Sequence, residues 1–194
     1  MARPRNFNEA QVLKSAMHVF WQKGYDATKL PDLLAATGLS RSSLYETFSD
    51  KQTLFEASIK EYLRTIGAER FATLQRGQTA KEALALFFDH LIATCFDKST
   101  PTGCLMVNTS TSLDSHDQRI KEIVNASVEK IHEAFVALLK RAQQSGEIAP
   151  DKNIQELAHM LQAVVAGMNV AGRTARKKST LQGMADSFIN TIFT

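Results

Sequence analysis

Between Arg41 and Lys51 the sequence concentrates side chains that can bind a nucleic-acid backbone and the edges of its bases. The guanidinium of Arg41 can grip a guanine or a phosphate, and the hydroxyls of Ser42 and Ser43 can serve phosphates or base edges. Both serines are also short enough to let a helix approach a duplex closely. Tyr45 is expected to contact a phosphate. These residue types in this spacing favour DNA binding over catalysis.

Two short helices separated by a tight turn must position these side chains. The first is expected to follow a cap at Thr28 and to end at Gly38, and Ser40 can cap a second from Arg41 to about Phe48. Two short helices joined by a glycine-containing turn form a helix-turn-helix, whose second helix enters the major groove. Such pairs also occur in helical proteins that never touch DNA, so spacing alone leaves both interpretations open.

Apolar residues recur with a period of about 3.6 along almost the whole chain, and no alternating run is long enough for a sheet. Asn8 can cap the first helix, and Asp50 can cap a fourth that begins with Lys51. Longer apolar stripes follow. The pattern predicts an all-α protein with a three-helix domain over residues 1–50 and a second helical domain over residues 51–194.

Composition argues against membrane and secreted classes. The 194 residues are 44% hydrophobic and 22% charged, which is ordinary for a soluble globular protein. No apolar run of about 18 residues could span a bilayer, and the basic N-terminus lacks the apolar part of a signal peptide. We therefore expect a cytoplasmic protein that does not bind a membrane, in which Cys95 and Cys104 are reduced thiols.

Motifs of enzyme chemistry are missing from the sequence. It contains no glycine-rich phosphate loop, no H-E-x-x-H, no G-x-S-x-G and no repeated E-x-x-H pair. The histidines His90, His116, His132 and His159 are scattered without metal-binding spacing. We expect neither enzymatic activity nor a metal or other cofactor.

Charge supports nucleic-acid binding only mildly. Residues 1–55 hold seven Lys and Arg against five Asp and Glu, and the rest of the chain holds 16 against 15. Arg3 and Arg5 lie on a polar arm before the first helix, and such arms can enter the minor groove or follow phosphates. A disordered terminus is the alternative for this arm.

These helices resemble the DNA-reading unit of the tetracycline-repressor-like (TetR) regulators, which typically reads F-x-x-G-[YF]-x-x-T and then G-[LV]-S-x-x-x-[LI]-Y-x-x-F-x-x-K-x-x-L. The matching residues are Phe20, Gly24, Tyr25, Thr28, Gly38, Leu39, Ser40, Leu44, Tyr45, Phe48, Lys51 and Leu54. The match is specific in order and spacing, and it covers the N-terminal domain. It implies a regulator, most simply a repressor, that binds double-stranded DNA at an inverted-repeat operator.

The resemblance and the basic arm together give a set of candidate DNA contacts. They are Arg3, Arg5, Thr28, Lys29, Ser40, Arg41, Ser42, Ser43, Tyr45, Thr47 and Lys51. The chain departs from the family pattern at Lys29, Leu34, Glu46 and Thr47. Phosphate contacts from Lys29 and Thr47 remain feasible, whereas Glu46 could accept from cytosine N4 or point away. The base that is read stays open.

The resemblance also implies a homodimer whose C-terminal helices enclose a small-molecule site, with ligand binding altering the separation of the two DNA-reading units. The last two helices could form a four-helix bundle with their symmetry mates, and small residues would allow close approach. The candidate dimerisation residues are Val164, Gly167, Met168, Ala171, Leu181, Met184, Phe188 and Ile192. The alternative is that the same stripes pack within one protomer.

The segment "STPTGCLMVNTSTS" could line the ligand cavity, together with side chains from neighbouring helices. The candidate lining residues are Phe71, Phe88, Cys104, Met106, Asn108, Phe135 and Met160. This mainly apolar set predicts a small, largely apolar or aromatic effector with one or two polar groups, rather than a phosphorylated or highly charged metabolite.

Two alternative functions remain at this stage. Some regulators of this family sense electrophiles or metals through a cysteine, and Cys104 could act in that way, although a lone cysteine on an apolar run is more often an inert part of the core. The chain could also be a helical interaction module whose DNA-reading unit has degenerated, because its basic bias is weak. Salt-dependent DNA binding separates this second alternative from a regulator.

Overall fold

The computed structural model describes residues 7–175 and 177–193, and every element in these ranges is helical. The described chain therefore confirms the predicted all-α class. It divides into two compact units between Thr65 and Ile66, which we call the N-terminal and the C-terminal unit.

Four helices build the N-terminal unit. They are α1 (Glu9–Lys23), α2 (Leu30–Thr37), α3 (Arg41–Phe48) and α4 (Lys51–Tyr62). Helix α1 packs against both α2 and α4, and α3 packs against α4. Because the aromatic rings of Phe20 and Phe55 lie 4.9 Å apart, and those of Trp21 and Tyr62 also lie 4.9 Å apart, α4 is part of this core. The unit therefore extends fifteen residues beyond the sequence-based boundary at residue 50.

Short-range capping signals account for most of the helix starts in this unit. The side chains of Asn8, Ser40 and Asp50 each accept a hydrogen bond from a backbone N–H in the first turn of α1, α3 and α4, which confirms these three predicted caps. The predicted cap at Thr28 is wrong. Lys29 occupies the N-cap of α2, and its backbone N–H donates to the Asp32 carboxylate at 2.9 Å.

The C-terminal unit combines short helices with several long ones. After a π-helical stretch, Leu63–Gly67, the elements are α5 (Ala68–Thr73), α6 (Ala80–Phe96), α7 (Leu105–Ser110), a 3-10 turn (Leu113–Ser115), α8 (Gln118–Gln144), α9 (Ile154–Ala171) and α10 (Lys178–Ile192). Helix α6 contacts α5, α8 and α10, and α9 lies against α8 and α10. The ring of Phe87 meets those of Phe88 and Phe135 edge-on at 5.8 and 5.4 Å, so α6 and α8 share an aromatic core.

Candidate nucleic-acid interface and C-terminal sites

The turn between α2 and α3 presents α3 to the solvent. Gly38 has a left-handed backbone (φ 70°) that a side chain would disfavour, and its N–H donates to the Leu34 carbonyl at 2.9 Å. Ser40 then begins α3, because its Oγ accepts from the Ser43 N–H at 3.2 Å. Leu44 and Phe48 are buried beneath the helix. The inner face is thereby fixed, and the opposite face of α3 is left uncovered by the N-terminal unit.

The outer face of α3 carries the predicted DNA contacts. Arg41, Ser42 and Ser40 are exposed, while Ser43 and Tyr45 are partly exposed. The guanidinium carbon of Arg41 lies 5.7 Å from the centre of the Tyr45 ring, so the two side chains share one surface. Three hydroxyls cluster beside them, with Ser40 Oγ 3.0 Å from Ser42 Oγ and 2.9 Å from Ser43 Oγ. The structure brings these five residues together as the sequence predicts.

Thr47 and Glu46 complete this face. Glu46 is exposed, and Thr47 is partly exposed. The hydroxyl of Thr47 donates to the Ser43 carbonyl at 2.8 Å, so its oxygen stays available as an acceptor while its proton is committed within the helix. A phosphate contact from Thr47 therefore requires its hydroxyl to rotate away from Ser43.

Lys51 and Lys29 form a second basic group near the start of α4. The ammonium of Lys51 lies 4.1 Å from the centre of the Tyr25 ring, in a cation–π contact. Burial lowers the pKa of Lys51, and the positive charge of Lys29 lowers it further, which means that the two cations lie close to each other. Lys29 is exposed, and its Nζ donates to the Asp26 carbonyl at 3.1 Å. Two neighbouring cations suit a phosphate.

An ion pair holds α2 to α1 beside this basic group. Lys23 Nζ donates to Asp32 Oδ1 at 2.6 Å, and the other carboxylate oxygen accepts from the Lys29 N–H. The hydrogen bond from Lys23, then the one from the Lys29 backbone, lower the pKa of Asp32. Asp32 thus fixes the backbone of Lys29, a role that no sequence motif had indicated.

Three predicted DNA contacts lie outside α3 and its N-cap, and apart from Lys29 and Lys51: Thr28, Arg3 and Arg5. Thr28 is fully buried and its hydroxyl donates to the Gly24 carbonyl at 2.6 Å, so the prediction that its side chain contacts DNA is wrong. The physical reason is local, because this hydroxyl satisfies the carbonyl at the end of α1. Arg3 and Arg5 lie outside the described residues.

The predicted effector-lining residues divide by burial. Phe88, Phe135 and Cys104 are buried, and Phe71, Met106 and Asn108 are partly buried. Met160 is 50% exposed on α9, so its assignment to a cavity lining is wrong. It lies on the face of α9 that points away from the core residues Leu161 and Met168.

Contacts also separate the members of this set. The Phe88 ring meets Phe188 of α10 at 6.4 Å, whereas Phe71 lies beneath the Lys130 ammonium at 5.9 Å. Asn108 of α7 accepts from Arg173 Nη1 at 3.1 Å. The structure therefore distributes the predicted lining over several parts of the C-terminal unit.

The predicted dimerisation residues also differ in burial. Met168, Leu181 and Ile192 are buried within the protomer, so placing them on a dimer surface is wrong and the intramolecular alternative holds for them. Val164, Ala171 and Phe188 are partly buried, and Gly167 and Met184 are exposed.

The exposed apolar face of α9 and α10 overlaps the predicted set only in part. Besides Gly167 and Met184, this face carries Met160, Ala163, Val170 and Gly183. A Cβ built on Gly167 or Gly183 would meet nothing within 4 Å. The helical period of α9 contains this outward stripe as well as the inward one, and the predicted dimerisation residues mixed the two, since Gly167 faces outward and Met168 inward.

Two classes of site are not found in the described part of the chain. No helix there is long and apolar enough to cross a membrane. Those residues also contain no group of three or more His, Cys, Asp and Glu side chains that could hold a metal ion.

Two family models match the chain over most of its length. One, described as "Bacterial regulatory proteins, tetR family", matches residues 12–58, and the other, "Tetracyclin repressor-like, C-terminal domain", matches residues 80–188. The first range contains α2, α3 and both lysines of the basic group. The second contains the aromatic core of the C-terminal unit.

Two bacterial proteins are similar over nearly the whole chain. The HTH-type transcriptional repressor ComR of Escherichia coli (strain K12) is 32% identical over 184 residues, which cover 94% of this chain and 88% of ComR. The HTH-type transcriptional regulator YezE of Bacillus subtilis (strain 168), described as uncharacterized, is 29% identical over 187 residues, covering 96% of each chain.

Solved structures show the same architecture. A cysteine mutant of the TetR family regulator CifR, complexed with 26-base-pair double-strand operator DNA, superposes with a TM-score of 0.86 at 25% identity, covering 98% of this chain and all of that one. A regulator from Chloroflexus aurantiacus superposes with a TM-score of 0.82, also at 25% identity, covering 94% of this chain and 93% of that one.

Proposed function

This chain belongs to the TetR family of bacterial transcriptional regulators, and we propose that it represses transcription by binding an inverted-repeat operator as a homodimer until a small effector releases it. Members of this family are ligand-responsive DNA-binding regulators rather than enzymes. ComR, which is similar over nearly the whole chain, is described as a repressor. A repressor of chromosomal genes would act in the cytoplasm.

The observation that carries the proposal is the presentation of α3. Gly38 and the Ser40 cap turn α3 outward, and the face that carries Arg41 and Ser42 is exposed while Leu44 is buried behind it. A short helix supported in this way can enter a major groove with its N-terminal residues against base edges. CifR, a similar protein of the same family, is known in complex with its operator.

We propose that some residues of this surface read base edges and that others contact phosphates and position the protein on the DNA. We assign Arg41 and Ser43 to base edges, because they lie in the first turn of α3. Lys29, Lys51 and Tyr45 contact phosphates, and the contacts of the two lysines raise affinity for all sequences alike. The charge of Lys29 acts on Lys51, so the two lysines form one cationic group that suits a phosphate.

The exposed face of α9 and α10 supports a homodimer. Met160 and Val170 of α9 and Met184 of α10 expose between 41% and 53% of their surface, while Gly167 and Gly183 leave open space for another helix. Monomeric soluble proteins seldom expose large contiguous apolar patches. A second copy of the same face, related by a two-fold axis, would bury it and form a four-helix bundle.

The effector is a small, largely apolar compound that binds within the C-terminal unit and favours a state that does not bind DNA. Phe87, Phe88 and Phe135 provide its apolar surroundings on α6 and α8. To release the operator, it must bind the DNA-incompetent state more tightly, and a hundredfold preference corresponds to about 2.7 kcal/mol of coupling.

Footprinting of the full-length protein on the DNA upstream of its own coding region tests the proposal. Two protected half-sites are expected, with centres separated by about 34–36 Å or a multiple of that spacing. The affinity should fall steeply with salt, because phosphate contacts release counterions. A single asymmetric footprint from a proven monomer would contradict the dimeric repressor. Absence of binding at low salt would favour a helical interaction module.

A further inference from the structure

An amide oxygen is buried without a partner in the C-terminal unit. Asn169 of α9 is 1% exposed, and its Nδ2 donates to the Val165 carbonyl at 2.8 Å. Its Oδ1 has no hydrogen-bond partner among the described residues. Leaving a buried acceptor unsatisfied destabilises a protein, so such a group is usually explained by a ligand or a water molecule that completes it.

The end of α6, the loop before α7 and α9 meet at this place. A Cβ added to Gly103 would lie 3.4 Å from the Asn169 carbonyl, and one added to Gly172 would lie 2.6 Å from Cys95 Sγ. The Gly103 N–H donates to the Cys95 sulfur. Asn169 is therefore one turn of α9 away from the contact between Cys95 and Gly172. Thr100, three residues before Gly103, also has a buried hydroxyl oxygen without a partner in the described part of the chain.

A buried cation, the guanidinium of Arg70, affects the pKa of two residues in this part of α6. Arg70 of α5 is 7% exposed, and its side chain is thus largely removed from water. Burial raises the pKa of the Cys95 thiol, and the positive charge of Arg70 opposes that rise. Burial lowers the pKa of His90, and the charge of Arg70 lowers it further. These effects locate Arg70 close to two residues of α6 that both favour their neutral form.

We propose that Arg70, Thr100 and Asn169 form the polar end of the effector site, and that the effector is a small apolar acid carrying a hydroxyl or N–H donor. The carboxylate would face Arg70, and the donor would complete Asn169 Oδ1. Thr100 can donate or accept. The buried guanidinium of Arg70 suits one carboxylate and not a phosphorylated metabolite. This inference rests on the proposed function, because it names the ligand class of that regulator.

Calorimetric titration of the full-length protein tests the ligand class directly. The probes are 3-hydroxybenzoate, benzoate and 3-hydroxybenzyl alcohol, which together separate the carboxylate from the hydroxyl. We expect 3-hydroxybenzoate to bind about tenfold more tightly than either relative, since one well-placed hydrogen bond or ion pair contributes on that order. Equal affinity for all three probes, or no binding of any, would overturn the proposal.

Substitutions test whether Asn169 binds the hydroxyl of the ligand and Arg70 binds its carboxylate. In Asn169→Leu the preference for 3-hydroxybenzoate over benzoate should fall to about one. In Arg70→Met the preference for 3-hydroxybenzoate over 3-hydroxybenzyl alcohol should be lost. The matched controls are Asn125→Leu and Arg64→Met, which make the same changes at exposed positions and should keep both preferences. Variants that retain wild-type preferences at Asn169 or Arg70 would contradict the assignment.

The melting temperature without ligand gives a second test of the proposal, which does not depend on how well each variant binds the probes. Because no described residue satisfies Asn169 Oδ1, Asn169→Leu should raise the melting temperature, by roughly 2 to 4 °C. Thr100→Val removes a second unsatisfied oxygen with little change in shape and should also not lower it. A lowered melting temperature in both variants would mean that these groups stabilise the fold, and it would contradict a ligand site.

Operator binding distinguishes this inference from the proposed function. If the wild-type protein gives the two-half-site footprint but shows no preference among the three probes, the ligand class is wrong and the repressor stands. If no footprint forms at low salt, the repressor itself is wrong. Release of the footprint by 3-hydroxybenzoate in wild type, but not in Arg70→Met, would support both.

Discussion

The ammonium group of Lys51 lies 4.1 Å from the centre of the Tyr25 ring, so a residue that follows α1 positions the first residue of α4. The Tyr25 ring itself packs against those of Phe20 and Phe55, whose centres lie 6.3 and 4.9 Å away. A cation fixed in this way needs little further ordering to meet a phosphate. The aromatic core of the N-terminal unit therefore positions Lys51, which we propose contacts a DNA phosphate.

Replacing Lys51 with Ala should weaken binding to specific and random DNA by the same factor. The salt slope of binding should fall by about one, because one phosphate contact is lost. Fluorescence anisotropy over a series of salt concentrations measures both. Lys60→Ala is the matched control, since Lys60 lies on the same helix but pairs with Glu56. A change in base preference, or an unchanged slope, would contradict the phosphate assignment of Lys51.

Arg41→Ala should instead relax the base preference of the protein. The guanidinium lies in the first turn of α3, where it can form two hydrogen bonds to a guanine, and such a pair contributes about 1–3 kcal/mol of discrimination. Competition between the operator and random DNA measures the ratio of affinities. If the variant loses affinity for the operator and for random DNA by the same factor, Arg41 contacts the phosphate backbone and does not read a base. Glu46→Gln tests another exposed position of α3, which either accepts from cytosine N4 or points away from the DNA.

The sequence predicts most of the N-terminal unit because its signals are local. Asn8, Ser40 and Asp50 cap helices within three residues of themselves, and Gly38 needs its own left-handed backbone. The predicted helix cap at Thr28 is wrong for a related reason. A threonine before a helix can cap that helix or bond backward, and only the fold determines that its hydroxyl meets the Gly24 carbonyl.

Contacts that are distant in sequence could not be predicted in the same way. A helical stripe shows that α9 is amphipathic, but not that Met168 faces the protomer core while Gly167 faces outward. Arg70 and Asn169 carry no motif, since a lone polar residue in a helix usually faces solvent. Their importance follows only from burial, which depends on packing between elements.

Met184→Glu should convert the dimer to a monomer. The residue is 41% exposed on the apolar face of α10, and burying a carboxylate against its symmetry mate would cost several kcal/mol. Sedimentation velocity measures the association state, and operator affinity should fall with it. Val128→Glu is the matched control, because Val128 is 50% exposed on α8 and outside this face. A dimeric Met184→Glu protein would contradict the interface.

Asp50→Ala should destabilise the N-terminal unit by about 1 kcal/mol at pH 7. Asp50 Oδ1 accepts from the Thr53 N–H at 2.7 Å, and this hydrogen bond lowers the pKa of the carboxyl below its ordinary 3.8. The stabilisation is therefore complete above pH 3.8 and is lost as the pH falls through the lower folded pKa. The fluorescence of Trp21, the sole tryptophan, can follow unfolding.

Asp50→Asn provides the control for that experiment. An asparagine caps a helix about as well as an aspartate but has no charge to titrate. Its stability should stay near wild type at neutral pH, and its difference from Asp50→Ala should persist in acid. If the difference between wild type and Asp50→Ala does not shrink in acid, the carboxylate does not act through this cap.

Cys104→Ser should leave the response to every reversible effector intact. Cys104 is buried, and the other thiol, Cys95, is also buried with a raised pKa, which disfavours the thiolate that an electrophile attacks. Operator release by a panel of apolar compounds and by N-ethylmaleimide, measured on wild type and the variant, compares the two mechanisms. Cys95→Ser is the matched control for the second thiol. Retained release by the apolar compounds in both variants supports a reversible effector. Loss of only the electrophile response in Cys104→Ser would instead make this thiol the sensor, because the other thiol and the binding surfaces are unchanged in that protein.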